Sequence, residues 1–159
     1  MALPQLIEED ITEINASLMD LLIKCDASAG LLIDKGGFMI TQSGRTTDID
    51  ATTLAALAAA SFAATETIAS LVQEKNFSSV YQQGENHSLL VLNVDENCLL
   101  CVIFQAKLSV GAIKYYATET LRRLAMQLQI AEHRSPDKKL DLSMLNLADP
   151  TPLFKRKSA

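Results

Sequence analysis

Two cysteines, Cys98 and Cys101, have the C-x-x-C spacing that is found in redox and zinc sites. They lie in residues 98–104 (CLLCVIF), a continuous apolar run that is typical of a buried strand. Because side chains three residues apart on a strand point to opposite faces of the sheet, the two sulfur atoms cannot converge on one metal ion. We therefore predict that both cysteines are small core residues, and an enzyme that uses Cys101 or His87 is a minor alternative.

The other residue types that could support catalysis do not form a site. His87 and His133 are far apart, and neither has a partner at metal-ligand spacing. The sequence contains no G-x-x-x-x-G-K-[ST] phosphate loop and no G-x-S-x-G nucleophile elbow. Residues 34–37 (DKGG) resemble a D-x-x-G nucleotide signature, but two glycines between β-compatible runs are typical of a hairpin. We expect no metal, no cofactor and no catalytic residue, which favours a binding or regulatory module.

Length, composition and charge narrow the class of protein. The 159 residues indicate one domain, and a hydrophobic content of 48% excludes general disorder. Residues 1–133 carry eight Lys or Arg against sixteen Asp or Glu, and this net charge of −8 argues against nucleic acid as a partner. The longest charge-free run, 51–65, is too short and too polar for a membrane span. Acidic residues at 8–10 interrupt any secretory signal, so we expect a cytoplasmic protein.

Hydrophobic periodicity predicts eight elements in the order α-β-β-α-β-β-β-α. They are a helix over 7–25, strands at 29–34 and 38–42, a helix from Asp48 or Asp50 to about Lys75, strands at 78–83, 87–94 and 98–105, and a helix from Ser109 that ends before Pro136. The last two strands are apolar on both faces, which indicates helices on both sides of the sheet. The predicted fold is an α/β (α+β) three-layer sandwich around a five-stranded antiparallel sheet, with strand 78–83 at an edge.

The second helix is apolar nearly all round. We assign to its core face Leu54, Leu57, Ala58, Ser61, Thr65, Ile68 and Val72. The reverse face carries small neutral residues, namely Thr52, Ala55, Ala56, Ala59, Ala63 and Ser70, with Glu66 as the only charge before the helix ends. A solvated face normally carries Lys and Glu, so this composition predicts a second buried surface; the alternative is the helix propensity of alanine alone.

The chain divides into a domain over 1–133 and a flexible C-terminal tail over 134–159. The tail holds three of the four prolines and six Lys or Arg against three Asp or Glu, a net charge of +3. It also carries apolar residues, among them Leu140, Leu142, Met144, Leu145 and Leu147. These residues either pack back on the same chain or dock on a partner, and the sequence leaves both alternatives open.

Several segments in this order resemble one known family. They are residues 30–40 (GLLIDKGGFMI), the alanine-rich second helix, residues 83–85 (QGE) and residues 108–114 (LSVGAIK). Over roughly residues 5–133 the chain resembles the Roadblock/dynein light-chain domain, and among its bacterial members it looks most like the MglB group of polarity and gliding-motility regulators.

The resemblance implies a homodimer. In this family the second helices pack antiparallel across a two-fold axis, and the edge strands that follow them pair into one continuous sheet. The resemblance therefore places at the dimer interface Ala55, Ala59, Phe62, Ala63, Glu66, Val80 and Tyr81.

The resemblance also implies a partner, a small Ras-like GTPase of the MglA type bound on the platform of paired second helices. MglB-like proteins stimulate GTP hydrolysis by reshaping the active site of the GTPase, without an arginine finger. Arg45 is the only arginine near the expected platform. The tail is a second candidate contact, through Leu142, Met144, Leu145 and Leu147. The alternative function is a scaffold in a signalling or polarity complex that has no effect on GTP hydrolysis.

Overall fold

The order of the helices and strands is the predicted one, in a computed structural model that describes residues 3–134. The elements are α1 (Glu8–Cys25), β1 (Ala29–Asp34), β2 (Met39–Gly44), α2 (Ala51–Leu71), β3 (Ser79–Gln83), β4 (His87–Asn93), β5 (Cys98–Gln105) and α3 (Val110–His133). The five strands form one antiparallel sheet in the order β2-β1-β5-β4-β3. The predicted fold class and the edge position of the third strand are therefore confirmed.

The helices begin and end at residues that the sequence marks. Asp50, one of the two predicted caps, accepts a hydrogen bond from the Thr53 N–H at 3.1 Å, and Ser109 caps α3 in the same way. Asp26 ends α1 in the left-handed conformation, with φ of 55°. Helix α2 ends at Leu71, earlier than the predicted end near residue 75, and a left-handed residue follows shortly after it.

The sheet is covered on both faces, and its side chains form two separate cores. Helices α1 and α3 pack on one face, and α2 packs on the other. Every residue of β5 from Cys98 to Phe104 is buried, as its apolar character on both faces predicts. Cys98 belongs to the core under α1 and α3, whereas Cys101 belongs to the core under α2. The prediction that the two sulfur atoms lie on opposite faces is confirmed.

The predicted orientation of α2 is wrong. The residues that pack on the sheet are Ala51, Ala55, Ala58, Ala59 and Phe62, whereas Leu57, Ile68 and Val72, which we assigned to the core, are 51–63% exposed. The small alanine side chains allow the helix to lie close to the sheet, and Phe62 fills the remaining space. Ala55, Ala59 and Phe62 are at most 4% exposed and are covered by their own chain, so they offer almost no surface to a partner.

Helix α2 is long and apolar enough, by length and composition, to cross a membrane. This is weak evidence, because core helices of globular domains pass the same criterion. Its inner face packs on the sheet, as the face of such a core helix does. Packing on the sheet does not explain the apolar residues on the opposite, outer face of the helix.

Candidate protein-interaction site

The outer face of α2 is apolar and is not covered by the described part of the chain. We define it by five residues at three- and four-residue spacing, which places them on one side of the helix: Leu57, Ala60, Ala64, Ile68 and Leu71. The three large side chains are 51–78% exposed. Leucine and isoleucine at such exposure on one helix form a contiguous apolar strip of the kind that marks interaction sites.

The single charged residue of α2 is held at the side of the helix. Glu66 Oε1 lies 3.7 Å from Lys35 Nζ, which extends from the β1–β2 hairpin. The same ammonium group lies 5.7 Å from the ring centroid of Phe62, within the range of a cation–π interaction. The hairpin itself approaches α2 closely, because a Cβ at Gly37 would lie 3.2 Å from Ala56 Cα. These contacts fix the helix relative to the hairpin and leave the outer face without a charge.

An open sheet edge completes the candidate site. Strand β3 pairs only with β4 among the described residues, so the backbone groups of its outer edge are unpaired. Val80 packs against the core on the α2 side of the sheet. Tyr81 points to the opposite face, where its ring stacks on Phe104 with 6.2 Å between centroids. The strand carries no charge and no proline, which are the usual devices against pairing with another strand.

Four of the seven residues predicted for the dimer interface are therefore accessible. Ala63, Glu66 and Tyr81 are exposed, and Val80 is half-buried. The sequence missed the residues with the largest exposed apolar side chains on α2. Leu57 and Ile68 lie on one helical stripe with Ala60 and Ala64, so the sequence could have indicated this surface. We assigned Leu57 and Ile68 to the core face instead.

A cavity of about 730 Å³ lies on the α2 side of the sheet, between the β2–α2 loop and the β3–β4 hairpin. Its apolar lining includes Leu54, Leu89 and Ile103. Its polar lining includes Arg45, Asp48, Gln82, His87 and Gln105. The strand register explains this combination, because His87 pairs with Gln105 at the sheet end while Leu89 pairs with Ile103 one step further in. No sequence motif predicted the cavity.

Arg45 lies at this cavity and not on the outer face of α2. Its backbone N–H donates to Ser28 O at 2.8 Å, and its side chain is exposed. Among the described residues it makes no salt bridge. The other predicted partner-binding residues lie outside the described part of the chain: Leu142, Met144, Leu145 and Leu147.

A buried carboxylate that the sequence did not reveal joins α1 to α3. Asp10 is fully buried and accepts two hydrogen bonds from the Arg134 guanidinium, at 2.6 and 2.7 Å. It also accepts hydrogen bonds from Gln127 Nε2 at 2.8 Å and from the backbone N–H of Ile7 at 2.9 Å. The bonds from Arg134 are the main reason that the pKa of Asp10 is held well below its usual range.

The described residues offer no obvious centre for metal or thiol chemistry. Within residues 3–134 no three His, Cys, Asp or Glu side chains lie close enough to hold a metal ion. Burial raises the pKa of Cys98 and of Cys101 to about 12, and it also raises the pKa of Cys25. A thiol with so high a pKa is almost entirely protonated at neutral pH, so it is a poor nucleophile.

Comparison with solved structures finds close relatives of the whole fold. Myxococcus xanthus MglB is 31% identical, with a TM-score of 0.74, and the match covers 80% of this chain and 96% of that one. A structure described as MglB with tetrameric arrangement and the gliding protein MglB of Thermus thermophilus are each 27% identical over the same shares, with TM-scores of 0.75 and 0.73. No curated protein matches the sequence significantly.

The family comparison agrees with these structures. Residues 22–104, more than half of the chain, match the model of the Roadblock/LC7 domain. The matched range runs from the end of α1 to the end of β5 and so contains all five strands and α2. The chain belongs to the Roadblock/LC7 domain family.

Proposed function

We propose that this protein is a homodimeric regulator of a small Ras-like GTPase of the MglA type, and that it raises the rate of GTP hydrolysis without catalysing a reaction of its own. The observation that carries the proposal is the uncovered apolar outer face of α2 beside the open edge of β3. A chain of this family with such a surface needs a second chain to cover it, and in this proposal the second copy covers the outer face and the paired helices form the platform for the GTPase. The likeness to MglB structures supports the choice of partner.

The same surface supports the dimer. A two-fold axis brings one patch against its own copy, so an uncharged helix face is self-complementary. Ala60 and Ala64 lie in the middle of the strip, where small side chains allow two helices to approach closely, and Leu57 and Ile68 flank them. In this arrangement the further contacts are Ala63, Glu66, Val80 and Tyr81. A relative described as having a tetrameric arrangement also favours an assembly of several chains.

The proposed mode of activation needs no residue inserted into the GTPase active site. Helix α2 contains no arginine, and Arg45 lies at the cavity beyond the outer face. Stabilisation of the transition state would then come from the GTPase's own residues, positioned by contact with the paired α2 helices. A cytoplasmic role in polarity or motility fits this activity and the description of one relative as a gliding protein.

The test is a single-turnover measurement of GTP hydrolysis by the cognate GTPase, with and without the full chain. We expect the rate to rise with protein concentration and to saturate. The same titration by fluorescence anisotropy of a labelled GTPase gives binding separately. Binding without any change in the hydrolysis rate would contradict activation.

A scaffold is the second candidate function. The observation that favours it is a second accessible surface, the 730 Å³ cavity, whose lining shares no residue with the outer face of α2. Two such surfaces would allow one chain to hold two proteins together. A ternary complex of the dimer, the GTPase and a third protein, at an unchanged hydrolysis rate, is the result that this function predicts.

A further inference from the structure

A groove runs between α1 and α3 on the side of the molecule opposite to α2. We define the α1–α3 groove by Glu13, Ser17, Arg122, Arg123, Met126, Gln127 and Ile130. It has a volume of about 180 Å³. Met126 and Ile130 lie one helical turn apart and are 48% and 52% exposed. The groove therefore presents two large apolar side chains, between polar walls, that no described residue covers.

The structure fixes where the rest of the chain begins relative to this groove. Helix α3 ends at His133, and the next residue, Arg134, is held on the buried carboxylate of Asp10 by two hydrogen bonds. Ile130 precedes Arg134 by about one turn, which corresponds to about 6 Å along the helix. The described part of the chain therefore ends at Arg134, about one helical turn beyond the groove residue Ile130.

The length of the remaining chain suits this groove. Twenty-five residues follow Arg134. Leu142 is eight residues beyond Arg134, and eight extended residues span up to about 28 Å. The groove from Ile130 back to Arg122 measures only about 12 Å along α3. Residues 140–147 can therefore turn back and lie along the groove without tension in the connection.

The charges near the exit point are complementary to those of the following segment. Glu8 and Glu9 in the first turn of α1, with Glu13 one turn later, form no salt bridge within the described residues. Between Arg134 and the apolar run lie Asp137, Lys138 and Lys139, a net charge of +1, and Asp141 lies within the run. The two lysines would thus pass the acidic first turn of α1 just before the apolar side chains reach the groove. Exposed ion pairs contribute little energy, but they favour one direction of docking over the other.

We propose that the α1–α3 groove is the docking site of residues 140–147 of the same chain. The apolar side chains of this segment, among them Leu142 and Leu145, cover Met126 and Ile130. The docked segment lies across the sheet from the outer face of α2, so it leaves that face free. Any partner that binds the segment must first displace it from the groove, so the apparent affinity of the partner is its intrinsic affinity multiplied by the undocked fraction. The proposal does not depend on the identity of the GTPase.

Methionine oxidation tests this docking in the full chain. Met126 in the groove and Met19 on α1 outside it are 48% and 46% exposed in the described residues, so residues 3–134 alone predict similar access. We expect hydrogen peroxide to oxidise Met126 several-fold more slowly than Met19 in the native chain, as measured by peptide mass spectrometry. The double variant Leu142→Ser, Leu145→Ser should raise the Met126 rate and leave the Met19 rate unchanged. Arg122 Nη1 lies 3.0 Å from the Met126 sulfur. Both chains keep this arginine, so the comparison of the native chain with the serine variant decides the test.

A disulfide-trapping experiment distinguishes the possible occupants of the groove. The variant Ile130→Cys, Leu142→Cys should form an intramolecular disulfide under mild oxidation. The control Thr52→Cys, Leu142→Cys should not, because the exposed Thr52 lies in α2, on the opposite side of the sheet and outside the five residues of its outer face. The three native cysteines are buried and need not be replaced. A disulfide mainly between tagged and untagged chains would overturn the proposal in favour of a second copy. An equal Met126 rate in the native chain and the serine variant, with no faster trapping than the control, would overturn it altogether.

Discussion

The Asp10 carboxylate and the Arg134 guanidinium form a two-point ion pair across 124 positions of sequence, with N–O distances of 2.6 and 2.7 Å. Asp10 is fully buried, whereas the side chain of Arg134 is 31% exposed. The carboxylate also accepts a hydrogen bond from the N–H of Ile7 in front of α1. One side chain therefore caps the first helix and holds the residue that follows the last helix.

Replacement of Asp10 by asparagine should destabilise the protein by about 2 kcal/mol, because hydrogen bonds to a charged group contribute roughly 1.5–3 kcal/mol. We expect no larger destabilisation, because the Arg134 guanidinium is partly exposed and can be hydrated when the carboxylate is absent. The measurement is the free energy of unfolding in urea at pH 7. Asp20→Asn is the matched control on the same helix: Asp20 pairs with Lys24 and Arg123 at the surface, where water screens the pairs, so its loss should destabilise the protein clearly less than the loss of Asp10. Equal losses in the two variants would mean that the buried pair has no special role.

The Asp10 pair also predicts a pH dependence. The pKa of Asp10 is lowered in the folded protein, so the stabilisation is fully present above the ordinary aspartate pKa of about 4 and is lost as the pH falls below it toward the folded value. We expect the difference in unfolding free energy between native protein and Asp10→Asn to be constant from about pH 5 to pH 8. It should shrink steadily below about pH 4. A difference that grows on acidification would have the wrong sign for this pair.

The order of the elements could be predicted because each one has a local signal. Apolar residues at helical spacing mark α1 and α3, the two adjacent glycines mark the β1–β2 hairpin, and Asp50 and Ser109 mark helix starts. The burial of the sheet on both faces followed from the uniform apolarity of β4 and β5. These features depend on neighbouring residues only, so no knowledge of tertiary contacts is needed.

The rest could not be predicted because it depends on contacts between distant residues. Helix α2 is apolar on all sides, so its sequence does not say whether the alanines or Leu57 and Ile68 face the sheet. Packing decides this, since only the small side chains allow close approach. Asp10 is one of three consecutive acidic residues, and nothing local distinguishes it before Arg134 is brought next to it by the fold.

Replacement of Ala60 by arginine should convert the proposed dimer to a monomer without unfolding the chain. Ala60 is exposed at the centre of the α2 outer face, so the monomer can accommodate the long side chain, whereas a close helix contact would bury two like charges across the two-fold axis. Sedimentation velocity measures the assembly, and thermal unfolding by circular dichroism measures the fold. We expect a loss of dimer with a small change in Tm.

Two further variants make this result specific. Thr118→Arg places the same side chain at an exposed position of α3 and should leave the assembly unchanged. Ala59→Arg, one residue away from Ala60, should unfold the chain instead, because Ala59 is 4% exposed against the sheet. A dimer that persists in Ala60→Arg would show that another surface forms it.

The cysteines should resist alkylation in the folded protein. With a pKa of about 12, Cys98 and Cys101 carry about 10⁻⁴ thiolate at pH 8, roughly three orders of magnitude less than a free cysteine. We expect intact-mass spectrometry to find both unmodified by iodoacetamide under conditions that label all three cysteines in urea. Rapid labelling of Cys101 in the folded protein would support the alternative that the protein is an enzyme that uses this thiol.

Replacement of Arg45 by alanine should weaken the response to the proposed GTPase without abolishing it. Arg45 lies at the rim of the cavity and has no salt-bridge partner among the described residues, so it is available for a charged contact. Loss of an exposed contact should raise the half-maximal concentration by about two- to five-fold.

The maximal hydrolysis rate should stay within about three-fold of the native value. Removal of an arginine finger, in contrast, lowers kcat by about 10³ or more. Lys114→Ala, which removes an exposed cation of α3 on the opposite side of the sheet and outside the α1–α3 groove, is the control and should change neither quantity. A thousand-fold loss of maximal rate in Arg45→Ala would identify this residue as an arginine finger and refute activation by reshaping the GTPase alone.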